Sequence, residues 1–186
     1  MCTVNQKQKL RSEIKKELLK NKEVLKPLDI SISRNLSLLI SELQNGGVGP
    51  ILGGYMPIQE EPIWFKELTE TQVEYSLVHM HDDIKLSYHS VDYLKLITGS
   101  FDLKLHSDVL KESITPDLIL VPGLAFTRSL ERLGRGKAYF DSYMKGFKGV
   151  KVGIFYSFQE VESVFSESHD EVLDYIITDK EIIRGI

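Results

Sequence analysis

Arg128, Arg132, Arg135 and Lys137 crowd around two glycines, Gly134 and Gly136, in the stretch DLILVPGLAFTRSLERLGRGKAYFD that spans residues 117–141. Residue types at this spacing suit a bound phosphate. Glycines let the backbone come close to an anion, N–H groups at a following helix start point at it, and guanidinium forks close over it. The same residues also fit a plain turn with solvated arginines, and spacing alone leaves both readings open. Two familiar phosphate loops do not fit. A P-loop needs a glycine farther upstream and Ser or Thr after its lysine, where this chain has Ala138. The dinucleotide fingerprint needs x-x-Gly after Gly134-Arg135-Gly136, where this chain has Lys137-Ala138-Tyr139.

The neighbouring segments would hold these residues in place. Asp117 to Val121 is an apolar run ended by Pro122-Gly123, which predicts a buried strand running into a loop. A helix-like segment with Tyr139, Phe140 and Tyr143 beside Asp141 follows. Residues 5–20 predict a helix whose apolar stripe is Leu10, Ile14 and Leu18. Lys7, Arg11 and Lys15 repeat the same spacing on another face, which on pattern alone is a solvated basic stripe. Residues 31–43 predict a second helix, capped by Ser31 or Ser33 and ended by Asn45-Gly46-Gly47.

Val48 to Tyr55 predicts a short strand, in which Gly53-Gly54 mark a bulge or close packing. The segment from Tyr55 to Glu61 is either a ligand edge at a strand end or an acidic turn before a helix starting near Pro62. Val73 to Met80 and Lys85 to His89 predict a hairpin. His79 and His81 would share one of its faces; a metal pair there lacks an identifiable third ligand, so partly exposed strand histidines are the expectation. Lys151 to Tyr156 predicts a buried strand, Gln159 to Phe165 a polar segment of helical character, and Tyr175 to Thr178 a last strand.

PGLAF (residues 122–126) followed by RLGRGKAYFD (residues 132–141) closely resembles the signature of the 5-formyltetrahydrofolate cyclo-ligase family, also called 5,10-methenyltetrahydrofolate synthetases, which is roughly PGxxF and then RLGxGxGYYD. Ala138 replaces a glycine of that signature and Phe140 a tyrosine; neither change removes a charge, but Ala138 needs a backbone conformation that a Cβ tolerates. The resemblance implies an ATP site made by Arg132, Gly134, Arg135, Gly136, Lys137, Ala138, Tyr139, Phe140 and Asp141. It adds Lys7 and Arg11, which match a K-x-x-x-R element that touches nucleotide phosphates; Lys15 lies outside it. It also implies a substrate side of Met56, Glu61, Arg135 and Tyr139, in which the Glu61 carboxylate accepts from the amino edge of a pterin, and leaves Glu60 as a surface charge. His169 to Thr178 resembles the family pattern H-D-x-x-[LV]-[DH]-x-[IV]-[IV]-T, with Leu173 in register. Its aspartate and that of the signature, Asp170 and Asp141, are implied to lie near magnesium, which takes few carboxylates and fills its octahedron with phosphate oxygens and waters. The family's G-x-x-E-P segment has no copy in residues 90–116: neither Thr98 to Asp102 nor Leu105 to Asp108 matches it.

The rest of the composition narrows the field. The 186 residues suit one domain with a sizeable core, and a charged fraction of 27% is ordinary for a globular protein. A net charge of -4 gives no global field toward nucleic acid or an anionic membrane, so a local basic cluster points to a small anionic ligand. The single cysteine, Cys2, excludes an internal disulfide and a cysteine-based zinc site. No apolar run approaches a membrane span and the start MCTVNQKQKL has no signal-peptide-like core, so a reducing cytoplasm is the expected home. A monomer is the separate expectation for its assembly.

Apolar runs alternating with helical stretches predict a three-layer α/β/α single domain over residues 1–186 with a mostly parallel sheet. The function implied by the resemblance is ATP- and magnesium-dependent cyclisation of 5-formyltetrahydrofolate, with Arg135 and Lys137 as the catalytic cations and a reduced folate as the small-molecule partner. Two rivals remain: another ATP-using enzyme on the same scaffold, and a non-catalytic nucleotide- or folate-binding protein.

Overall fold

A computed structural model describes residues 2–58, 60–68, 73–81, 83–92, 113–168 and 170–185, with side chains from residue 5 onward. Residues 90–116 of the sequence reading, including Thr98 to Asp102 and Leu105 to Asp108, therefore fall largely outside the described residues.

Two helices open the chain, α1 (Cys2–Leu25) and α2 (Leu28–Asn45). α1 buries Ile14 and Leu18, the stripe its periodicity predicts. α2 starts earlier than the sequence suggests. Ser33 is no cap: its hydroxyl sits inside the helix and donates to the Asp29 carbonyl at 2.9 Å. Pro27 stands at the N-cap position, and its fixed φ of −63° already suits a helix.

Ten strands follow among the described residues: β1 (Ile51–Gly54), β2 (Glu74–Met80), β3 (Leu86–Ser90), β4 (Ser113–Ile114), β5 (Leu118–Pro122), β6 (Ala125–Phe126), β7 (Arg132–Leu133), β8 (Val150–Ile154), β9 (Tyr175–Ile177) and β10 (Ile182–Arg184). A short helix α3 (Tyr139–Met144) lies between β7 and β8. Eight strands form one sheet in the order β10-β9-β8-β5-β1-β2-β3-β4. Its centre is parallel: β9 on β8, β8 on β5, β5 on β1 and β1 on β2. Its edges are antiparallel, with β10 on β9 and the β2–β3 hairpin extended by β4. β5 is the strand buried on both faces, as its unbroken apolar run requires: Leu118 to Val121 are all 0% exposed.

Helices cover both faces, and β1 shows why it ends in two glycines. Successive residues of a strand point to opposite faces. A Cβ on Gly53 would come within 2.7 Å of Tyr88, whose ring packs on Tyr143 of α3. A Cβ on Gly54 would strike Trp64 on the other face, where residues 63–66 are bonded to Asp29 and Ser33 of α2. Gly53-Gly54 thus mark close packing rather than a bulge.

Three local expectations give way. Residues 62–68 form turns instead of a helix, because Asp29 and Ser33 take their backbone groups. Residues 157–159 form a single 3-10 turn, and the rest of the Gln159 to Phe165 segment is irregular. Gln159 is buried with its amide side chain serving the carbonyls of Gly123 and Leu124 and the Tyr156 N–H, so it staples the loop after β5 to the loop after β8. The last strand is β10, one beyond the predicted Tyr175 to Thr178.

A cationic cavity at the strand ends as candidate active site

In open, largely parallel sheets the loops beyond the carboxyl ends of the strands form the usual ligand crevice. Here β1 runs into Tyr55 to Glu61, and β5 runs into Gly123 and the small β6–β7 hairpin that carries Arg132. Between them lies a cavity of about 580 Å³. The segment from β7 to α3 contributes Arg132, Gly134, Arg135, Lys137 and Asp141 as one wall, and the loop after β1 with strand β2 contributes Met56, Ile58, Glu61, Val78, His79 and Met80 as the other. Ala138, Tyr139 and Phe140 lie on its wall as well, although Phe140 is 6% exposed and chiefly a core side chain. A stretch of sequence seventy-odd residues away from Glu61 is thus folded onto it by the β1–β5 pairing.

Arg135 joins the two sides. Its Nε donates to Glu61 Oε1 at 2.8 Å and its Nη1 to Glu60 Oε1 at 3.3 Å, while its buried Nη2 has no partner among the described residues. Glu60 is therefore not the plain surface charge that its sequence position suggests. Glu61 is 7% exposed; its other oxygen accepts the Ile58 N–H at 3.1 Å. Burial pushes the Glu61 carboxyl above its ordinary value, against the opposing pull of the Arg135 guanidinium and the Ile58 amide.

Arg132 is anchored by Nη1 to the Pro122 carbonyl at 2.9 Å and by Nη2 to Asp141, and its Nε is buried without a partner. Lys137 is exposed at the rim, and among the described residues no ion pair holds it. The αL turn that closes the loop has Gly136 at φ +97° and Ala138 at φ +55°. A Cβ on Gly136 would meet Arg11 only at an ordinary contact distance of 3.6 Å, so glycine is needed there for its conformation. Ala138 takes the left-handed conformation despite its Cβ, at a cost of about 1 kcal/mol.

The basic stripe of α1 borders the same loop. Arg11 Nε donates to the Gly134 carbonyl at 2.9 Å. Lys7 is buried, with Nζ 2.8 Å from Glu167 and 2.6 Å from Asp170. Burial alone would lower the Lys7 value, but hydrogen bonds and charge from Asp170 and Glu167 outweigh it and hold the ammonium above its ordinary range. Lys15, expected to be solvated, lines the cavity. Arg128 leaves the group instead: it is exposed and pairs with Glu160 and Glu181.

Asp141 and Asp170, the magnesium candidates, each hold a cation, Arg132 and Lys7 respectively. Both side chains are 21% exposed, and carboxylate oxygen is the donor magnesium takes, so they fit such an ion in type. An ion there would share these oxygens with Lys7 and Arg132 or displace them. Among the described residues no group of three His, Cys, Asp or Glu is arranged to hold a metal without further ligands. On the β2–β3 hairpin, the His79 and His81 rings meet edge to face at 4.7 Å, and His81 and His89 both reach the Ser87 hydroxyl, at 2.8 and 2.7 Å.

Sequence reasoning missed three contributors. Tyr55 lines the cavity 3% exposed, with a hydroxyl that has no hydrogen-bond partner; burial pushes its value well above the usual phenol. Its place directly after an apolar strand and one residue before Met56 was the available signal. Glu167 had none beyond lying three residues ahead of Asp170. Lys15 had a signal, the four-residue spacing it shares with Lys7 and Arg11.

A mostly parallel α/β sheet whose strand-end loops surround a cavity with guanidinium groups on one wall and a buried carboxylate on the other defines the class of this protein. Within it, the sequence model of the 5-formyltetrahydrofolate cyclo-ligase family matches residues 77–179, and the chain belongs to that family. It is 34% identical over 83 residues to a probable 5-formyltetrahydrofolate cyclo-ligase of Schizosaccharomyces pombe, covering 38% of this chain and 41% of that protein. It is 35% identical over 101 residues to the 5-formyltetrahydrofolate cyclo-ligase of Mycoplasma genitalium, covering 47% of this chain and 60% of that one. The matches thus span about half the length of these relatives. Among solved structures, the 5,10-methenyltetrahydrofolate synthetase of Aquifex aeolicus superposes with a TM-score of 0.66 at 26% identity, covering 94% of this chain and 92% of its own. That of Mycoplasma pneumoniae gives a TM-score of 0.69 at 24% identity over 93% and 98%, a likeness of fold.

Proposed function

We propose that this chain cyclises 5-formyltetrahydrofolate to 5,10-methenyltetrahydrofolate at the expense of ATP. The observation that carries the reading is Arg135, which bridges the cationic loop to the buried Glu61 and keeps one donor unspent in the cavity between them. A site of this design seats a phosphate chain against one wall and a pterin edge against the other.

A formamide oxygen is a poor leaving group. Attack of the formyl oxygen on the terminal phosphorus breaks the bond to ADP and leaves the formyl carbon as an iminium phosphate. N10 of the folate then bonds to that carbon, the C–O bond breaks toward phosphate, and N10 loses its proton. None of this needs a covalent nucleophile from the protein. It needs two substrates in line and positive charge around the moving phosphoryl group. Arg135 and Lys137 supply that charge, and Arg132, Arg11 and Lys7 hold the rest of the phosphate chain with the Gly134 to Asp141 backbone. Glu61 orients the pterin, with Met56 and Tyr139 against its faces. Asp141 and Asp170 would hold magnesium, which supplies neutralisation of the phosphate oxygens when bound. We take the chain to act as a single-domain monomer in the cytoplasm. Among the described residues no helix is long and apolar enough to cross a membrane.

The test is the absorbance of the methenyl product when the protein is mixed with 5-formyltetrahydrofolate, with and without ATP and magnesium, alongside ADP release. Product dependent on both, with one ADP per methenyl group, supports the reading. ADP release stimulated equally by other folates would favour a different substrate on the same scaffold, and nucleotide or folate bound without ADP release would favour a binding protein.

A further inference from the structure

We infer that Lys15 is a third α1 cation of the active site, the one that contacts the terminal phosphate of the nucleotide. The inference rests on the nucleotide half of the function proposed above and extends it to a residue outside the family-like motif.

Lys7, Arg11 and Lys15 recur every fourth residue, so they stand one above the other on a single face of α1, about 6 Å apart per step. The structure places each step against a different part of the site. Lys7 is bonded to Asp170, and Arg11 to the Gly134 carbonyl beside Gly136. Lys15 lines the cavity itself, with Arg135, Lys137 and Glu61. One and two turns further along, Leu18 and Lys22 line a neighbouring cavity of about 310 Å³ together with Pro57, Glu60 and Glu61. The helix therefore runs from the proposed magnesium carboxylate, past the glycine cradle, toward the proposed pterin carboxylate, and Lys15 occupies the interval before Glu61.

Charge state points the same way. Lys7, Arg11, Arg132 and Arg135 each make a hydrogen bond or ion pair inside the protein. Among the described residues no such partner holds the half-buried Lys15. A cation in a cavity wall without a carboxylate of its own can meet an incoming anion without first breaking a bond. With the inner phosphates over Arg11 and the Gly134–Gly136 backbone, the part of a nucleotide that projects toward Glu61 is its terminal phosphoryl group. Lys15 faces that part, and ADP lacks it.

Calorimetric titration with magnesium ATP and magnesium ADP tests this without turnover. Lys15→Ala should weaken ATP by about tenfold or more, the usual cost of a lost hydrogen bond to a charged group, and leave ADP within about twofold. Lys15→Arg should recover most of the ATP affinity, and Lys16→Ala, an exposed neighbour off this face, should change neither. Alanine is the best helix former, so α1 is expected to survive the change; Lys15→Gln, which keeps most of the stem, repeats the measurement. Equal losses for ATP and ADP, or no loss, overturn the inference, as does wild-type protein that binds neither nucleotide. Wild-type protein that discriminates through Lys15 but makes no methenyl product would sink the proposed reaction and leave this assignment standing.

Discussion

One wall of the cavity is charged and already cross-bonded, whereas the other is mostly apolar and carries a single buried acid. On the first, Arg132 is tied to Asp141, and behind the lining Lys7 and Arg11 are tied to Asp170 and Gly134. On the second, Met56, Ile58, Val78 and Met80 line the cavity together with His79 and Glu61. The contrast follows from what each wall would grip. A phosphate chain offers many equivalent oxygens, so cations held in advance bind it without ordering cost. A pterin offers flat apolar faces and one edge of N–H donors, so apolar side chains and one well-placed carboxylate suffice. Arg135 belongs to both walls, which makes it the most sensitive residue of the comparison.

Arg135→Ala should have the largest effect. Turnover at saturating substrates is expected to fall by about 10²–10³-fold, as for other lost electrostatic stabilisers. Full activity, followed by methenyl absorbance, would show that the two walls do not depend on this bridge. The charged wall should also matter for folding. Lys7→Met removes the buried ammonium that Glu167 and Asp170 share, at a cost of roughly 1–3 kcal/mol once their partial exposure is allowed for. Because the folded Lys7 value is raised, its contribution is fully present below the ordinary value of 10.5 and disappears as pH rises through the raised one. Denaturant midpoints of the two proteins should therefore differ by a constant amount from neutral pH to about 10 and converge above it. A gap independent of pH throughout would mean that Lys7 acts through packing alone.

The apolar wall should respond in the same direction but in an acidic window. The Glu61 value is raised from 4.5 by burial, so between 4.5 and its raised value the folded protein binds more protons than the unfolded chain. Stability contributed by this group falls as pH rises across that window. Glu61→Gln should remove that decline from the stability profile, and an unchanged profile would place the carboxyl in water. The smallest effect is at Ala138, whose φ of +55° suits glycine better. Ala138→Gly should raise stability by about 0.5 kcal/mol, the relieved strain less the extra entropy of the unfolded chain. A loss on thermal or chemical unfolding would mean that the methyl group packs well enough to offset its strain.

Much of this wall-by-wall design was visible in the sequence, for uneven reasons. β5 was legible because a strand buried on both faces is a continuous apolar run. The Gly134 to Asp141 loop was legible because RLGRGKAYFD resembles the family signature, whereas its spacing alone also fitted a plain turn. The turn at residues 62–68 was not, since Pro62 and the acids before it suit a helix start. Only the tertiary bonds from Asp29 and Ser33 divert that backbone. Tyr55 and Glu167 were hidden for a similar reason, because burial and ion pairing across 160 residues leave no local pattern. Lys15 shows the converse: its spacing was plain, but a basic stripe is usually solvated, and only the cavity distinguishes it.

The central claim is that the formyl oxygen takes the phosphoryl group, and following that oxygen tests it most directly. With 5-formyltetrahydrofolate carrying a heavy-isotope formyl oxygen, mass spectrometry of the released phosphate should find one heavy oxygen in each molecule, in step with methenyl formation. Methenyl product accompanied by unlabelled phosphate would contradict the account, as would phosphate released with the label still on the folate.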